Sequence, residues 1–253
     1  MSYYDIGDGK PIVMIHGFAG SKLYWEGIIP ELSKNSRVIA LDLPGHGDSN
    51  MGAEKYSIED IAGMIREFLD ELGLEKVTMF GHSLGGYITL AFAEQYPEYL
   101  NGFSIIHSTA AQDSEEAKSG RDSNVKKVIE EGTESLVQGL SQKLFSPANS
   151  EINASDIKQT RDIGNSTSVN GMVSALLAMR DRPDRNFVLK ASSMPILLVA
   201  GEQDQIIPPE KTFSVSKENI EHYLIKGSGH MSMYEQPVEL IKAIKSFLAD
   251  IDK

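Results

Sequence analysis

A serine flanked by glycines, in Gly81-His82-Ser83-Leu84-Gly85, constrains this chain more than any other stretch. An apolar, β-leaning run at 77–80 precedes it, and a segment that favours a helix follows at 87–94. In that setting the pattern predicts a strand, a sharp turn and a helix, with the serine hydroxyl pushed out above the sheet. The turn needs its two glycines because side chains there would clash with neighbouring backbone. Ser83 is therefore a candidate nucleophile at a helix N-terminus, where N–H groups are free.

Strands and helices alternate on both sides of this turn. Apolar runs suited to strands lie at 12–15, 38–41, 77–80, 103–106, 196–200 and 223–225. Ser57 and Asp60 form a capping box that begins one of the intervening helices, and another is predicted at 24–33. The alternation predicts an α/β fold with a doubly wound, mostly parallel sheet. At the start of the chain, residues 2–6 are predicted as a strand, and the Asp8-Gly9 turn is typical of a tight hairpin.

The alternation stops between residues 110 and 190, where no strand is predicted. Helical spacing of apolar residues indicates a helix at 125–144 with a weak point at Gly132, and shorter helices near 157–163 and 172–177. We therefore predict a core of residues 1–109 and 191–253, with a helical cap of residues 110–190 inserted after the fourth buried strand.

A serine hydroxyl needs a base to take its proton, and the base needs an acid to hold its tautomer. His230 directly follows Gly227-Ser228-Gly229, in the loop after the last predicted strand, where glycines let the chain bend back over the sheet edge. The loop after strand 196–200 holds two candidate acids, Asp204 and Glu202, and spacing from the strand end favours Asp204. His107 also lies at a strand end near this edge, which leaves two alternatives: it lines the pocket, or it packs in the core, and core packing is favoured.

The nucleophile turn and the chain order Ser83, Asp204, His230 resemble the α/β-hydrolase family. The resemblance covers nearly the whole chain apart from the insertion, and it implies that these three residues are a catalytic triad. It also implies an oxyanion hole made by the backbone N–H groups of Leu84 and Phe18, the latter in the family's His-Gly-x loop. His16 would organise that loop.

The resemblance implies a serine hydrolase, and a carboxylesterase is the activity we expect. Haloalkane dehalogenases and epoxide hydrolases of the family use an aspartate nucleophile, so Ser83 argues against them. The family's menaquinone-pathway lyase usually has an arginine where Tyr87 follows the elbow glycines. An enol-lactonase, a thioesterase, a perhydrolase, or a small-molecule receptor with little turnover remains open, because the fold alone does not assign a substrate.

Substrate-binding candidates come from two regions. Aromatic residues follow the oxyanion loop, and apolar residues lie in the insertion and beside the base. Those predicted to wall an acyl pocket are Tyr24, Trp25, Met172, Leu176, Met179, Met231 and Met233. Arg180, Arg182 and Arg185 are candidates for binding a carboxylate, although arginines near a helix end are typically solvated.

Composition limits the remaining partners. The net charge of -12 repels phosphates, so we expect neither nucleic acid nor an anionic membrane as a partner. With no cysteine in the chain, disulfides and thiol catalysis are excluded. The first residues lack the regions of a signal peptide, and no apolar run reaches the ~20 residues of a membrane span. We expect a cytoplasmic monomer or homodimer that acts on a small-molecule ester.

No metal and no cofactor are expected. The six histidines lack a metal spacing such as His-Glu-x-x-His. Gly45-His46-Gly47 lacks the third glycine of a dinucleotide fingerprint, and no phosphate-binding loop with Gly-Lys-Ser or Gly-Lys-Thr occurs.

Overall fold

A seven-stranded sheet forms the centre of the computed structural model, which describes residues 1–52 and 55–251. The strands are β1 (Tyr3–Ile6), β2 (Lys10–Ile15), β3 (Ser36–Leu41), β4 (Val77–His82), β5 (Leu100–Ile106), β6 (Ile196–Gly201) and β7 (Ile220–Ile225). They lie in the order β1-β3-β2-β4-β5-β6-β7. Only the β1–β3 pair is antiparallel among these strands. The predicted mostly parallel α/β fold is confirmed.

The central strands are apolar on both faces because helices cover both sides of the sheet. Along β2, Val13 and Ile15 belong to one hydrophobic cluster, whereas Ile12 and Met14 belong to the other. Successive side chains of a strand point to opposite faces, so a continuous apolar run supplies both clusters. Because β2 to β7 run parallel to one another, their carboxyl ends lie at one edge of the sheet.

The first strand pairs differently from the prediction. Residues 7–9 do not close a hairpin between β1 and β2, because β2 pairs with β3 on one side and β4 on the other. With no free edge on β2, β1 instead runs antiparallel to β3, with Tyr3 opposite Leu41. The Asp8-Gly9 pattern correctly predicted a turn, but it did not predict which strand pairs with β1.

The eleven α-helices that the described residues form occupy the connections. They are α1 (Ile29–Leu32), α2 (Ile58–Glu71), α3 (Leu84–Gln95), α4 (Glu115–Glu131), α5 (Glu134–Lys143), α6 (Ala154–Ser166), α7 (Val169–Asp181), α8 (Asn186–Ala191), α9 (Pro209–Thr212), α10 (Ser232–Glu235) and α11 (Pro237–Ile251). None of the helices in this described part is long and apolar enough to cross a membrane.

The segment predicted as one helix at 24–33 forms two shorter helical elements. A 3-10 turn spans Lys22–Trp25, with the Ser21 hydroxyl accepting the Leu23 N–H, and α1 begins only at Ile29. Pro30 explains the late start, since proline has no N–H to donate and is tolerated only in the first turn of a helix.

Between β5 and β6 the chain forms the five helices α4 to α8, which we call the cap. The helix predicted at 125–144 is interrupted: α4 ends at Gly132, whose φ of 83° is left-handed, and α5 starts two residues later. Ser114 caps α4 earlier than the apolar spacing indicated. Contact with the core is close at one point, where the Ser168 N–H donates to the Gly45 carbonyl at 3.0 Å.

Candidate active site

The backbone makes the sharp turn that the sequence predicts at Ser83. Its φ of 51° and ψ of -112° are unfavourable for a residue with a Cβ atom. The turn is tight because a Cβ atom at Gly85 would lie 2.4 Å from the Ile15 carbonyl oxygen. Two hydrogen bonds hold the serine backbone: its N–H donates to the Ile106 carbonyl at 2.9 Å, and the Ser108 hydroxyl donates to its carbonyl at 2.7 Å.

The loops after β6 and β7 bring a carboxylate to an imidazole at this edge. His230 Nδ1 lies 2.7 Å from Asp204 Oδ2, and both side chains are buried. Glu202, the other candidate acid, lies elsewhere: its Oε2 accepts the Gly227 N–H at 3.0 Å on the surface. The contact with His230 therefore belongs to Asp204, in agreement with the spacing from the strand end.

Asp204 accepts hydrogen bonds on both of its oxygens. Oδ1 accepts the N–H groups of Ile206 and Ile207 at 2.8 and 2.9 Å, while Oδ2 faces His230 and His107. Burial by itself raises the pKa of this carboxyl, but attraction by His230 and the hydrogen bonds from both histidines outweigh it and hold the pKa below its usual range. Asp204 is therefore an ionised group that orients the imidazole.

His107 contacts the same carboxylate, which the sequence reasoning missed when it assigned this residue to the core. Its Nδ1 lies 3.2 Å from Asp204 Oδ2, and its Nε2 lies 2.7 Å from the Ser232 hydroxyl. With Nδ1–H donating to the carboxylate, Nε2 accepts from Ser232. Burial lowers the pKa of His107, although Asp204 opposes that effect. The available signal for this contact was that His107 directly follows β5, a strand that lies between β4 and β6.

His82 and Glu235 hold the backbone of the loop that carries His230. His82 Nε2 lies 2.9 Å from the His230 carbonyl oxygen, to which it donates, and burial lowers the pKa of His82 well below its usual value. The Glu235 carboxylate accepts the Gly229 N–H at 2.9 Å and the Ser146 N–H of the cap at 2.9 Å. The base loop is thus tied to the nucleophile turn on one side and to the cap on the other.

The loop after β2 lies against the serine. A Cβ atom at Gly17 would be 3.1 Å from the Ser83 Cβ, so only glycine leaves room there. Across residues 1–52 and 55–251, the N–H groups of Phe18 and Leu84 donate to no protein acceptor. Two unpaired donors beside a serine are the arrangement that an oxyanion requires.

His16 holds this loop, as the family resemblance implies. Its Nδ1 donates to the Gly17 carbonyl at 2.7 Å, and its Nε2 accepts the Leu43 N–H at 3.0 Å, which together define the tautomer. Burial, with a further contribution from neighbouring His46, lowers the pKa of His16 to about 3, so the ring is neutral.

Ser83 and His230 line one cavity of about 420 Å³ beneath the cap. Its other walls come from the oxyanion loop, the start of α3, the segment leading into α4, and the cap helices; they include Phe18, Tyr24, Tyr87, Arg121, Leu140, Leu144, Met179, Arg182, Ile206, Ile207 and Lys211. The cavity is mainly apolar with a few charged groups at one side, as expected of a site for a small organic ligand.

Of the residues predicted to wall the pocket, Tyr24 and Met179 line this cavity. The other five are buried in the two hydrophobic clusters instead; they are Trp25, Met172, Leu176, Met231 and Met233. Helical spacing identifies an apolar face but not which of its residues meets a cavity, so on α7 Met179 lines the cavity whereas Met172 and Leu176 pack in the core. Leu144, which the prediction did not include, also supplies the apolar wall.

Three polar side chains lie close enough together to be considered as metal ligands. The nearest ligand atoms of His107, Asp204 and His230 are all within 4.8 Å of one another. Both imidazole Nδ1 atoms, however, hydrogen-bond to the same carboxylate oxygen. Hydrogen bonding therefore accounts for the cluster.

The fold is matched by known proteins. The family model described as alpha/beta hydrolase fold matches residues 10–237. A thermophilic esterase structure from Thermogutta terrifontis with malate bound is 30% identical, with a TM-score of 0.96 over 100% of this chain and 94% of that one. A structure from a study of carboxylesterases of Nitrososphaera gargenis is 28% identical, with a TM-score of 0.86 over 99% and 94% of the two chains.

Curated relatives are more varied in activity. A putative 2-succinyl-6-hydroxy-2,4-cyclohexadiene-1-carboxylate synthase of Bacillus subtilis is 26% identical over 98% of this chain and 95% of its own length. The first relatives matched are uncharacterized mycobacterial proteins, 37% identical over a stretch that covers 40% of this chain but only 29% of their length. Because the family model spans most of the chain, this protein belongs to the α/β-hydrolase fold family.

Proposed function

We propose that the protein hydrolyses carboxylic esters through an acyl-enzyme, with Ser83 as nucleophile, His230 as general base and Asp204 as the acid that orients it. One observation carries the proposal. His230 Nδ1 forms a 2.7 Å hydrogen bond with Asp204, and His230 lines the same cavity as the strained Ser83. The bond leaves the other ring nitrogen, Nε2, to receive a proton.

In the acylation step, Ser83 Oγ attacks the ester carbonyl carbon while its proton passes to His230 Nε2. The tetrahedral intermediate carries a negative charge on the former carbonyl oxygen, which the N–H groups of Phe18 and Leu84 stabilise. Collapse of this intermediate breaks the bond to the alcohol oxygen, which leaves with the proton from His230. The product is the free alcohol and an ester of Ser83.

In the deacylation step, water attacks the acyl carbon and gives a proton to His230. The second tetrahedral intermediate uses the same two N–H groups, and its collapse releases the carboxylic acid while the proton returns to Ser83. Asp204 stays ionised through both steps and stabilises the imidazolium that forms twice. The low pKa of Asp204 supports this role, because a proton on its carboxyl would remove the stabilisation.

Two further points support ester cleavage. The esterase from Thermogutta terrifontis is similar along the whole chain. The walls near the catalytic groups are apolar, with Phe18, Leu144 and Ile207 among them, which favours the uncharged acyl or alkyl part of an ester.

The test is hydrolysis of a p-nitrophenyl ester series from two to twelve acyl carbons by the wild type, Ser83→Ala and Ser216→Ala. Ser216 is an exposed serine outside the cavity and is the matched control. We expect Ser83→Ala to lose activity by several orders of magnitude, because removal of the nucleophile disables the triad as a unit. Ser216→Ala should keep the wild-type rate.

Each outcome is informative about the mechanism. Retained activity in Ser83→Ala, with its fold verified by thermal unfolding, would contradict the proposed nucleophile. If the wild type turns over none of the esters, a lactonase, thioesterase or receptor function replaces the esterase. A chain-length optimum would report the depth of the cavity.

A further inference from the structure

One side of the catalytic cavity carries a cluster of charged side chains that ester cleavage does not require. Asp113 lies between two guanidinium groups: its Oδ1 is 2.7 Å from Arg182 Nη1, and its Oδ2 is 2.9 Å from Arg121 Nε. The side chains of Asp113 and Arg182 are only 6% and 5% exposed. One carboxylate facing two guanidiniums leaves an excess positive charge in a largely buried wall.

The two arginines differ in how many of their donors are used. Arg182 also donates to the Ala111 and Met179 carbonyls, and its guanidinium lies 3.9 Å from the centre of the Tyr87 ring. Those contacts fix Arg182 as part of the wall. Arg121 uses only its Nε, so its two terminal amino groups make no hydrogen bond to any described residue, and its side chain is 24% exposed.

A third cation lines the same cavity. Lys211, in the short helix α9, is exposed, and its Nζ makes no ion pair within the part of the chain that the structure describes. The charged residues of the lining are thus Arg121, Arg182 and Lys211 against Asp113 alone. The whole chain has the opposite balance, 24 lysines and arginines against 36 aspartates and glutamates. The catalytic Asp204 lies behind His230, with hydrogen bonds to both of its oxygens.

We propose that Arg121 and Lys211 form a carboxylate subsite, so that the ester substrate carries a second, ionised carboxyl group, as in a half-ester of a dicarboxylic acid. This inference rests on the ester hydrolysis proposed above. The planar fork of the Arg121 terminal amino groups matches a carboxylate, and Lys211 adds a second positive charge. The apolar walls of Leu140, Met179 and Ile206 accommodate the hydrocarbon between the two ends.

A carboxylate bound at this position would neutralise the excess positive charge of the cavity wall. The excess positive charge beside Asp113 is costly in a partly desolvated site unless an anion neutralises it. A neutral ester gains nothing from Arg121 or Lys211, whereas an anionic ester gains charge-assisted hydrogen bonds. Such bonds favour the anionic substrate by about ten- to a hundred-fold.

The experiment compares each anionic ester with its neutral amide isostere. Monoethyl glutarate and ethyl 4-carbamoylbutanoate place the group in the acyl part; 3-acetoxypropanoate and 3-acetoxypropanamide place it in the alcohol part. We expect the wild type to show a kcat/KM about tenfold or more higher for at least one anionic ester than for its isostere, through a lower KM. Added salt should reduce this ratio, since Arg121 and Lys211 are partly exposed.

The variants are Arg121→Gln and Lys211→Gln, each of which should bring the ratio of the two kcat/KM values towards one. Arg66→Gln is the matched control, because Arg66 pairs with Asp70 on α2 and does not line the cavity. It should leave the ratio at the wild-type value. The ratio, rather than the rate itself, separates charge recognition from a general loss of folded enzyme.

The outcomes distinguish this inference from the proposed function. If the esters are hydrolysed but neither anionic ester is preferred, or if both glutamine variants keep the preference, the carboxylate subsite is wrong while ester hydrolysis stands. If no ester is hydrolysed, ester hydrolysis fails, and calorimetry with Ser83→Ala decides the subsite. Tighter binding of monoethyl glutarate than of ethyl 4-carbamoylbutanoate would support it, and equal or weaker binding would overturn it.

Discussion

Two imidazoles contact one oxygen of Asp204, so the proposed acid is shared between the proposed base, His230, and a second histidine, His107. Oδ1 is held by the N–H groups of Ile206 and Ile207, which orient the carboxylate. Oδ2 accepts from His230 at 2.7 Å and from His107 at the longer distance of 3.2 Å. His107 does not line the cavity, so it acts on the reaction only through Asp204 and is a positioning residue.

We predict that His107→Phe lowers kcat for ester hydrolysis by about tenfold, since a hydrogen bond to a charged group is lost. KM should change little, because His107 is behind the cavity wall.

Steady-state kinetics check this prediction, with His222→Phe as the control because His222 is an exposed histidine outside the cavity. His107→Asn keeps a side-chain N–H donor for Asp204, so it should recover part of the kcat lost in His107→Phe, which a purely structural effect would not do. A wild-type kcat in His107→Phe, or no recovery in a folded His107→Asn, would rule out a positioning role through Asp204.

At the scale of elements, Glu235 at the end of α10 joins the base loop to the cap. One oxygen accepts the N–H groups of Gly229 and Met231, at 2.9 and 3.3 Å. The other accepts the Ser146 N–H and an Asn149 side-chain N–H, both at 2.9 Å. A single half-buried carboxylate thus satisfies four donors from two segments that are far apart in sequence.

We predict that Glu235→Gln lowers the free energy of unfolding by about 1–3 kcal/mol, because an amide supplies one acceptor oxygen and turns an NH2 group towards donors. Urea unfolding measures the loss, and Glu98→Gln is the control, since Glu98 is exposed and makes no bond to the base loop. Ester hydrolysis should fall as well, through a less well positioned His230. Wild-type stability and rate in Glu235→Gln would show that Glu235 does not join the two segments.

On the scale of the whole molecule, four of the six histidines are buried with lowered pKa values: His16, His46, His82 and His107. Burial is the main cause in each, because the charged imidazolium is disfavoured away from water. In the unfolded chain, by contrast, histidines titrate near pH ~6.5. Unfolding below that pH therefore takes up protons.

We predict that stability is lost as pH falls below about 6.5. Because the folded pKa values lie below the unfolded value, the stabilisation is complete above the unfolded pKa and decreases towards the folded values, down to about 3 for His16. Each histidine contributes at most about 1.4 kcal/mol per pH unit, and its contribution ends where the pH reaches its folded pKa.

Urea unfolding between pH 5.0 and 7.5 checks this expectation, in a range above the ordinary pKa values of carboxyl groups. The urea midpoint should decrease steadily towards the acidic end. A midpoint that does not change over this range would mean that the buried rings are already charged in the folded protein or that it takes up no protons on unfolding.

Much of the backbone could be predicted because the signals are short-range. Apolar runs, glycine turns and capping residues such as Ser57 act within a few residues, and they identified β2 to β7 and the nucleophile turn. Strand pairing was predicted less well. The Asp8-Gly9 turn suggested a hairpin between β1 and β2, but that edge of β2 pairs with β3 instead. Competition between strands for one edge is not visible in a local pattern.

The chain alone determined where the proposed chemistry lies. Ser83 directly follows β4, Asp204 and His230 lie in the loops after β6 and β7, and parallel strands bring their carboxyl ends to one edge. Only the tertiary structure decided what surrounds them. His107 reaches Asp204, and Asp113 reaches Arg182, through contacts between residues about 70 to 100 positions apart. Such contacts depend on how the helices pack against the sheet, because packing decides which side of an apolar or charged helix meets the cavity.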